Sequence, residues 1–186
     1  MKITEPNTPQ LCFFHLRCFH KNCIITNAMK AATVVQLKKE LETLNSEDLK
    51  TLCLRLARFK LENKELLTYL LFESDDEAYY VEGIKEEADL LFEDINTKSY
   101  FYIKKSVRKI LRMLKKHARY SNNKETEVEL LLYYCYKLKT FTPSIKNNVT
   151  LTNIYLKQVE NIEKKIIKLH EDLKYDFRER LKEITD

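Results

Sequence analysis

The scarcity of glycine and proline constrains the fold of this chain more than any other feature. Among 186 residues the only glycine is Gly83, and the prolines are Pro6, Pro9 and Pro143. Glycine and proline are the residues that interrupt helices most effectively, so long segments without them can remain helical. We therefore predict an all-α fold.

The same scarcity argues against several classes of enzyme. Phosphate-binding loops, dinucleotide-binding turns and nucleophile elbows need glycines where the backbone approaches a ligand closely or takes a positive φ angle. A single glycine cannot supply such a cluster. We expect neither a nucleotide-dependent enzyme of the usual kinds nor a bound cofactor.

Hydrophobic periodicity and capping residues predict about seven helices joined by short connections. Their expected bounds are 34–44, 47–60, 64–72, 75–95, 98–119, 124–140 and 149–184. Thr33 and Gln36 have the spacing of a capping box. So do Ser74 and Glu77, and Ser46 is a further N-cap candidate. Because the helices differ widely in length, we predict an irregular helical bundle or array of helical hairpins, with a long C-terminal helix.

The predicted C-terminal helix is too long for a compact domain of this size. Over 149–184 it would extend about 54 Å at 1.5 Å per residue. We expect either a break near Asp172 to Tyr175 or a partner that covers its end. The second alternative predicts self-association.

The first 28 residues differ in composition from the remainder of the chain. They contain three of the five cysteines, two of the four histidines and two of the three prolines, without a periodic apolar pattern. Met29 comes shortly before the first predicted capping box. We interpret 1–28 as a poorly ordered extension or a misassigned start, and 29–186 as a single helical domain.

A metal site is the alternative interpretation of this N-terminal segment. Its candidate ligands are Cys12, His15, Cys18, His20 and Cys23. Thiolate and imidazole groups suit tetrahedral zinc, but this spacing matches none of the usual ligand pairs and the segment lacks turn residues. We therefore predict no metal site.

Two adjacent predicted helices carry opposite charge. Residues 73–94 contain ten acidic side chains and one basic, whereas 98–119 contain nine basic side chains and no acidic one. On a helical wheel, eight of these bases share an arc of about 140°, apart from the apolar arc. The eight are Lys104, Lys105, Arg108, Lys109, Arg112, Lys115, Lys116 and Arg119.

This basic face has three interpretations. It is a solvated helix surface, a surface for a protein partner, or a nucleic-acid-binding surface on which Tyr100, Phe101, Tyr102 and Tyr120 stack with bases. The neighbouring acidic residues favour the first, because opposite charges within about a Debye length neutralise each other. The net charge of +5 does not distinguish among them.

No pattern of a catalytic site is present in the sequence. His117 and His170 lack the Glu-x-x-His spacing of di-iron bundles, and we interpret them as satisfied or exposed. Cys135 lies among apolar residues, as does Cys53, so both are predicted to act as small hydrophobic side chains. Adjacent carboxylates point about 100° apart on a helix and do not converge. We expect no enzymatic activity.

The chain also lacks a long apolar segment. The best candidate, 11–25, contains four basic or histidine residues, so it resembles neither a membrane span nor a signal peptide. Free cysteines in apolar patterns are typical of a reducing compartment. We predict a cytoplasmic protein without a membrane partner.

Three segments carry a resemblance to known proteins: NKELLTYLLF (63–72), SYFYIKKSVRKILR (99–112) and RYSNNKETEVELLLYY (119–134). The chain over about 29–175 resembles an uncharacterised family of short bacterial proteins of unknown function. The resemblance implies an all-helical, cytoplasmic bacterial protein with no assigned activity. It does not extend to 1–28.

These observations lead to one functional hypothesis and one alternative. The hypothesis is a non-enzymatic helical protein that binds an unknown protein partner or forms a homo-oligomer. The alternative is a nucleic-acid-binding protein that uses the basic face of the helix at 98–119.

Overall fold

A computed structural model describes residues 30–185 of the chain. Within that range the protein is all-α, with eight α-helices and no β-strand. The chain divides into two compact units at the junction of Leu44 and Asn45. The predicted extension at 1–28 lies outside the described residues, so the domain boundary at residue 29 stays a prediction.

The first unit contains helix α1, Val34–Glu42. Its predicted capping box is confirmed. The Gln36 amide donates to Thr33 Oγ1 at 3.4 Å, and the Thr33 amide donates to Gln36 Oε1 at 2.9 Å. No side chain of α1 is buried.

The second unit contains the other seven helices of residues 30–185. They are α2 (Ser46–Phe59), α3 (Leu61–Thr68), α4 (Glu77–Glu93), α5 (Tyr100–Ser121), α6 (Lys124–Lys139), α7 (Val149–Ile166) and α8 (Glu171–Thr185). A π-helical turn, Tyr69–Glu73, follows α3, and a 3₁₀ turn, Ile145–Asn147, precedes α7. The predicted all-α class and irregular bundle are confirmed.

Helix α6 lies at the centre of the core, because it packs against α4, α5, α7 and α8. Its buried side chains occupy most of the helix circumference. They are Thr126, Val128, Leu130, Leu131, Leu132, Tyr134, Cys135 and Leu138. A helix with apolar residues on several sides must be covered by neighbours on each of those sides. The other helices of the bundle are therefore arranged around α6.

The predicted C-terminal helix consists of two helices. The break covers residues 167–170, a few residues before the predicted position, and α8 then packs against both α6 and α7. Tyr155 on α7 donates a hydrogen bond to the carbonyl of Ile184 at 2.8 Å. Because the fold accommodates the segment by breaking it, the helix length no longer argues for self-association.

Helices α2 and α3 form a hairpin at the periphery of the second unit. The side-chain Nδ2 of Asn63 donates to the carbonyl of Leu56 at 2.9 Å and links the two helices. No side chain of α2 is buried: Leu52 is 41% exposed, Phe59 is 77% exposed, and Cys53 is exposed as well. Cys53 is predicted to act as a small hydrophobic side chain, but it is exposed because α2 packs mainly on α3.

Two predicted helix starts are also wrong. Asn45, not Ser46, caps α2, since its Oδ1 accepts the Asp48 amide at 2.8 Å. Asp76, not Ser74, caps α4. The π-helical turn extends the preceding helix as far as Glu73, and the Ser74 hydroxyl donates back to the carbonyl of Leu70 at 3.2 Å.

Two carboxylates connect helices that are distant in sequence. Glu77 on α4 accepts hydrogen bonds from the hydroxyls of Tyr69, Ser121 and Thr126. Glu129 on α6 accepts hydrogen bonds from both terminal guanidinium nitrogens of Arg180 on α8. Its Oε1 lies 2.9 Å from Lys85 Nζ on α4. These contacts fix the relative positions of α4, α6 and α8.

Candidate functional site

The predicted basic face belongs to α5, whose apolar stripe faces the core. The Ser99 hydroxyl caps the helix by accepting the Phe101 amide at 3.2 Å, and Asn122 ends it in the left-handed region at a φ of 55°. The buried stripe consists of Ile103, Val107, Ile110, Leu114 and Ala118. Since this stripe anchors α5 to the core, the opposite face is left to solvent.

The structure places the eight predicted basic residues in two groups. The exposed group is Lys105, Arg108, Lys109, Arg112 and Arg119, and the half-buried group is Lys104, Lys115 and Lys116. Within residues 30–185, only Lys116 has a carboxylate within 4.0 Å of its charged nitrogen. The other seven therefore have no acidic partner at contact distance in that range, and neutralisation over a Debye length stays a prediction.

Lys116 serves to hold α3 against α5. Its Nζ lies 2.8 Å from Glu65 Oε2, and the Tyr120 hydroxyl donates to the same oxygen at 2.7 Å. These hydrogen bonds lower the pKa of Glu65, and the bond from Lys116 has the largest effect. We therefore assign Lys116 to the α3–α5 contact and not to a ligand site.

The acids of α4 make their contacts with other residues. Glu82 pairs with Lys85, and Glu87 lies 3.8 Å from His117. Asp89 is half-buried and pairs with Lys137 of α6 at 2.8 Å. Sequence periodicity could not reveal the contacts of Glu87 and Asp89, because they depend on which helices become neighbours.

Lys115 borders a polar cavity that sequence patterns did not indicate. The cavity has a volume of about 320 Å³ and is lined by Lys115, Lys157, Gln158, Glu160, Asn161 and Lys164. Burial is the main cause that lowers the pKa of Lys115, and the nearby charges of Lys165 and Lys157 lower it further. The charge of Glu127 has the opposite effect on this pKa but does not outweigh them. Gln158 is 4% exposed, and its Oε1 has no hydrogen-bond partner among the described residues. The basic surface thus continues from α5 onto α7.

The four predicted stacking aromatics are in different environments. Phe101 is 67% exposed and Tyr102 is 48% exposed, and their ring centroids lie 5.5 Å apart with near-perpendicular planes. Tyr100 is half-buried and Tyr120 is buried. Only Phe101 and Tyr102 are therefore accessible to a ligand.

A second surface, which the sequence analysis missed, lies on the α2–α3 hairpin and the π-helical turn. It forms an open groove of about 740 Å³. The groove is lined by Leu54, Ala57, Arg58, Phe59, Lys60, Leu61, Lys64, Leu67, Thr68, Leu71 and Phe72. Large apolar side chains remain exposed along it, with Phe59 at 77% and Phe72 at 79%. Contiguous apolar surface of this kind marks interaction sites in soluble proteins.

Charge at this groove has one sign. The charged lining residues are Arg58, Lys60 and Lys64, and no acidic side chain lines the groove. No carboxylate of residues 30–185 lies within 4.0 Å of their charged nitrogens. The groove therefore offers an apolar floor with cations free to pair with a ligand.

The side chains considered for catalysis have structural contacts. His117 is half-buried, with Nδ1 3.0 Å from the Tyr80 hydroxyl, and burial lowers its pKa. Cys135 is buried, and burial raises its pKa to about 12, which disfavours the thiolate. His170 is exposed, with Nδ1 3.1 Å from Asp172. The interpretation of Cys135 as a core residue is confirmed.

The described residues contain neither a metal-binding cluster nor a membrane-spanning helix. Across 30–185, no three His, Cys, Asp or Glu side chains are grouped so as to hold a metal ion. The considered ligands from Cys12 to Cys23 lie outside that range. No helix in it has both the length and the apolarity to cross a bilayer.

Comparison with known proteins gives no relative. No family model, no curated protein and no solved structure matches the chain. The resemblance to a family of short bacterial proteins stays a prediction. A functional proposal therefore depends on the two surfaces described above.

Proposed function

We propose that this protein is a non-enzymatic interaction protein whose groove on α2, α3 and the π-helical turn binds an amphipathic helix of another protein. The observation that carries the proposal is the exposed apolar lining, in which Phe59, Leu61, Leu71 and Phe72 are each more than 60% exposed. Leaving such side chains in water costs about 25 cal/mol per Å² of apolar surface, which a bound partner recovers. An amphipathic helix fits a groove of this kind through residues spaced at i, i+3/i+4 and i+7.

The charge of the groove favours an acidic partner over a second copy of this chain. A symmetric dimer through the groove would place Arg58, Lys60 and Lys64 of the two copies on one two-fold interface. Like charges brought together in an interface are unfavourable, whereas acidic residues flanking an apolar helix would pair with them. We therefore propose that the partner is a helix with acidic flanks.

We place this interaction in the cytoplasm. The placement is supported by Cys53 and Cys135, which are both free thiols. Free thiols, one of them exposed, are typical of a reducing compartment. An exposed thiol beside the apolar groove would otherwise be subject to oxidation.

The test uses the full chain and a designed 18-residue peptide. The peptide carries leucines and a phenylalanine at i, i+4 and i+7 and glutamates at the flanks, and its affinity is measured by fluorescence anisotropy. A second peptide replaces the glutamates with lysines. We expect the acidic peptide to bind at least about tenfold more tightly, because it pairs with the cations of the groove.

Two matched variants locate the binding site. Leu61→Gln with Leu71→Gln changes two exposed residues of the groove, and Leu90→Gln with Leu156→Gln changes two exposed leucines elsewhere. We expect the first pair to weaken peptide binding about tenfold or more and the second to leave it unchanged. Equal binding by both variants overturns the proposal. Sedimentation analysis gives a second test. If the wild type is a dimer and Leu61→Gln with Leu71→Gln abolishes the dimer, a second copy occupies the groove and the proposal is overturned.

A further inference from the structure

The basic surface of α5 is separate from the proposed protein-binding groove and has its own physical character. Between Lys104 and Arg119 it extends about 22 Å along the helix at 1.5 Å per residue. Its exposed residues are Lys105, Arg108, Lys109, Arg112 and Arg119, none of which pairs with an acid of the described residues. A row of unpaired cations of this length is suited to a polyanion.

The surroundings of α5 preserve this charge. The acids of the neighbouring α4 contact other residues, such as Lys137 for Asp89 and Lys85 for Glu82. On the other side, the cavity beside Lys115 is lined by Lys157, and its one acid, Glu160, pairs with Lys164.

An aromatic side chain lies within the basic surface. Phe101 is 67% exposed and lines an open groove of about 620 Å³ together with Lys104, Lys105, Arg108, Leu111 and Arg112. The Tyr102 ring lies nearly perpendicular to the Phe101 ring at a centroid separation of 5.5 Å. An exposed ring bordered by cations is the arrangement on which unpaired bases stack in proteins that bind single-stranded nucleic acid.

We propose that α5 binds single-stranded nucleic acid, with phosphates along Lys105, Arg108 and Arg112 and a base stacked on Phe101. The exposed ring favours a single strand over a duplex, because the base faces of a duplex are covered by neighbouring base pairs. An acidic protein would also match the cations, so polyglutamate is a comparison ligand in the test. The proposal is independent of the α2–α3 groove.

The test measures binding of a 12-nucleotide single-stranded RNA of mixed sequence to the full chain by fluorescence anisotropy. The same strand annealed to its complement and polyglutamate are the comparison ligands. About five phosphate contacts would lower the affinity for the single strand roughly 100-fold between 50 and 200 mM salt. Equal or tighter binding of the duplex, or of polyglutamate, overturns the proposal.

A charge variant tests the phosphate contacts against a control of equal net charge. The test variant combines Lys105→Gln, Arg108→Gln and Arg112→Gln. The control variant combines Lys146→Gln, Lys168→Gln and Arg178→Gln. All six residues are exposed. We expect the first variant to bind at least about tenfold more weakly and to show a shallower salt dependence, because three phosphate contacts are lost. The same affinity for both variants contradicts the proposal.

Phe101→Ser tests the stacking contact. We expect it to lower the affinity for the single strand about tenfold while leaving the salt dependence unchanged, since a base contact and not a phosphate contact is removed. An unaltered affinity excludes stacking and overturns the single-strand proposal. Leu61→Gln with Leu71→Gln should retain RNA binding, which separates failure of this proposal from failure of the protein-binding groove.

Discussion

At the scale of single residues, half-buried carboxylates connect the helices of the second unit. Glu129 contacts Arg180 and Lys85, and its side chain is 18% exposed. Burial raises the pKa of Glu129, but the hydrogen bonds from Arg180 and Lys85 outweigh burial and hold the pKa below its usual value of 4.5. The charged form is therefore more favourable in the folded state than in the unfolded chain.

We predict that Glu129→Gln lowers the free energy of unfolding by about 1–3 kcal/mol at pH 7, because two cations lose their shared carboxylate. A folded-state pKa below 4.5 means that this stabilisation is present above that value and is lost as the pH falls through the folded-state pKa. The difference between wild type and variant should therefore shrink below about pH 4.5. Urea denaturation across pH measures it.

Glu86→Gln is the control for this experiment, because Glu86 is exposed on α4 and pairs with no residue of the described chain. It should change the free energy of unfolding by less than about 0.5 kcal/mol. A similar loss in both variants would show that net charge, and not the Glu129 contacts, determines the effect.

At the scale of elements, α6 and α2 represent the two extremes of burial. Eight side chains of α6 are buried, whereas none of α2 is. Local opening requires less free energy where few apolar contacts are broken. The stability of the hairpin should therefore be lower than that of the central helix.

We predict that backbone amides of α2 and α3 exchange with deuterium much faster than those of α6, because the hairpin can open without exposing the core. Hydrogen exchange followed by mass spectrometry measures the two sets of amides in one protein. Addition of the acidic amphipathic peptide should slow exchange in α2 and α3 alone. Equal protection of α2 and α6 without peptide would contradict the assignment of α2 to the periphery.

At the scale of the whole molecule, one hydrophobic core supports the second unit. It is centred on α6 and includes residues from α4, α5, α7 and α8. The surfaces proposed for binding lie outside it, on an exposed hairpin and on the solvent face of α5. Substitutions that test those surfaces should therefore leave the core intact.

Leu131 lies in the centre of this core and is 1% exposed. We predict that Leu131→Ala lowers the free energy of unfolding by about 2–5 kcal/mol. Leu156→Ala removes the same atoms at a position 55% exposed on α7 and should cost less than about 1 kcal/mol. Thermal or urea denaturation compares the two proteins. Equal losses would be inconsistent with a core centred on α6.

Local sequence signals determined much of this structure. With almost no glycine or proline the chain is helical, and the capping box at Thr33 and the basic face of α5 are where periodicity predicts them. These features depend on residues within one or two turns of each other, whose relation is fixed by helix geometry. Tertiary packing, which involves distant residues, decided the rest.

Local sequence did not determine three features: the break at 167–170, the exposed stripe of α2 and the groove beside that stripe. The same apolar pattern describes a buried helix and an exposed one, because periodicity identifies an apolar face but not what covers it. The pairing of Lys116 with Glu65 likewise depends on α3 and α5 becoming neighbours. The sequence by itself determined helices and their faces, and only the tertiary structure decided which faces and charges remain available to a ligand.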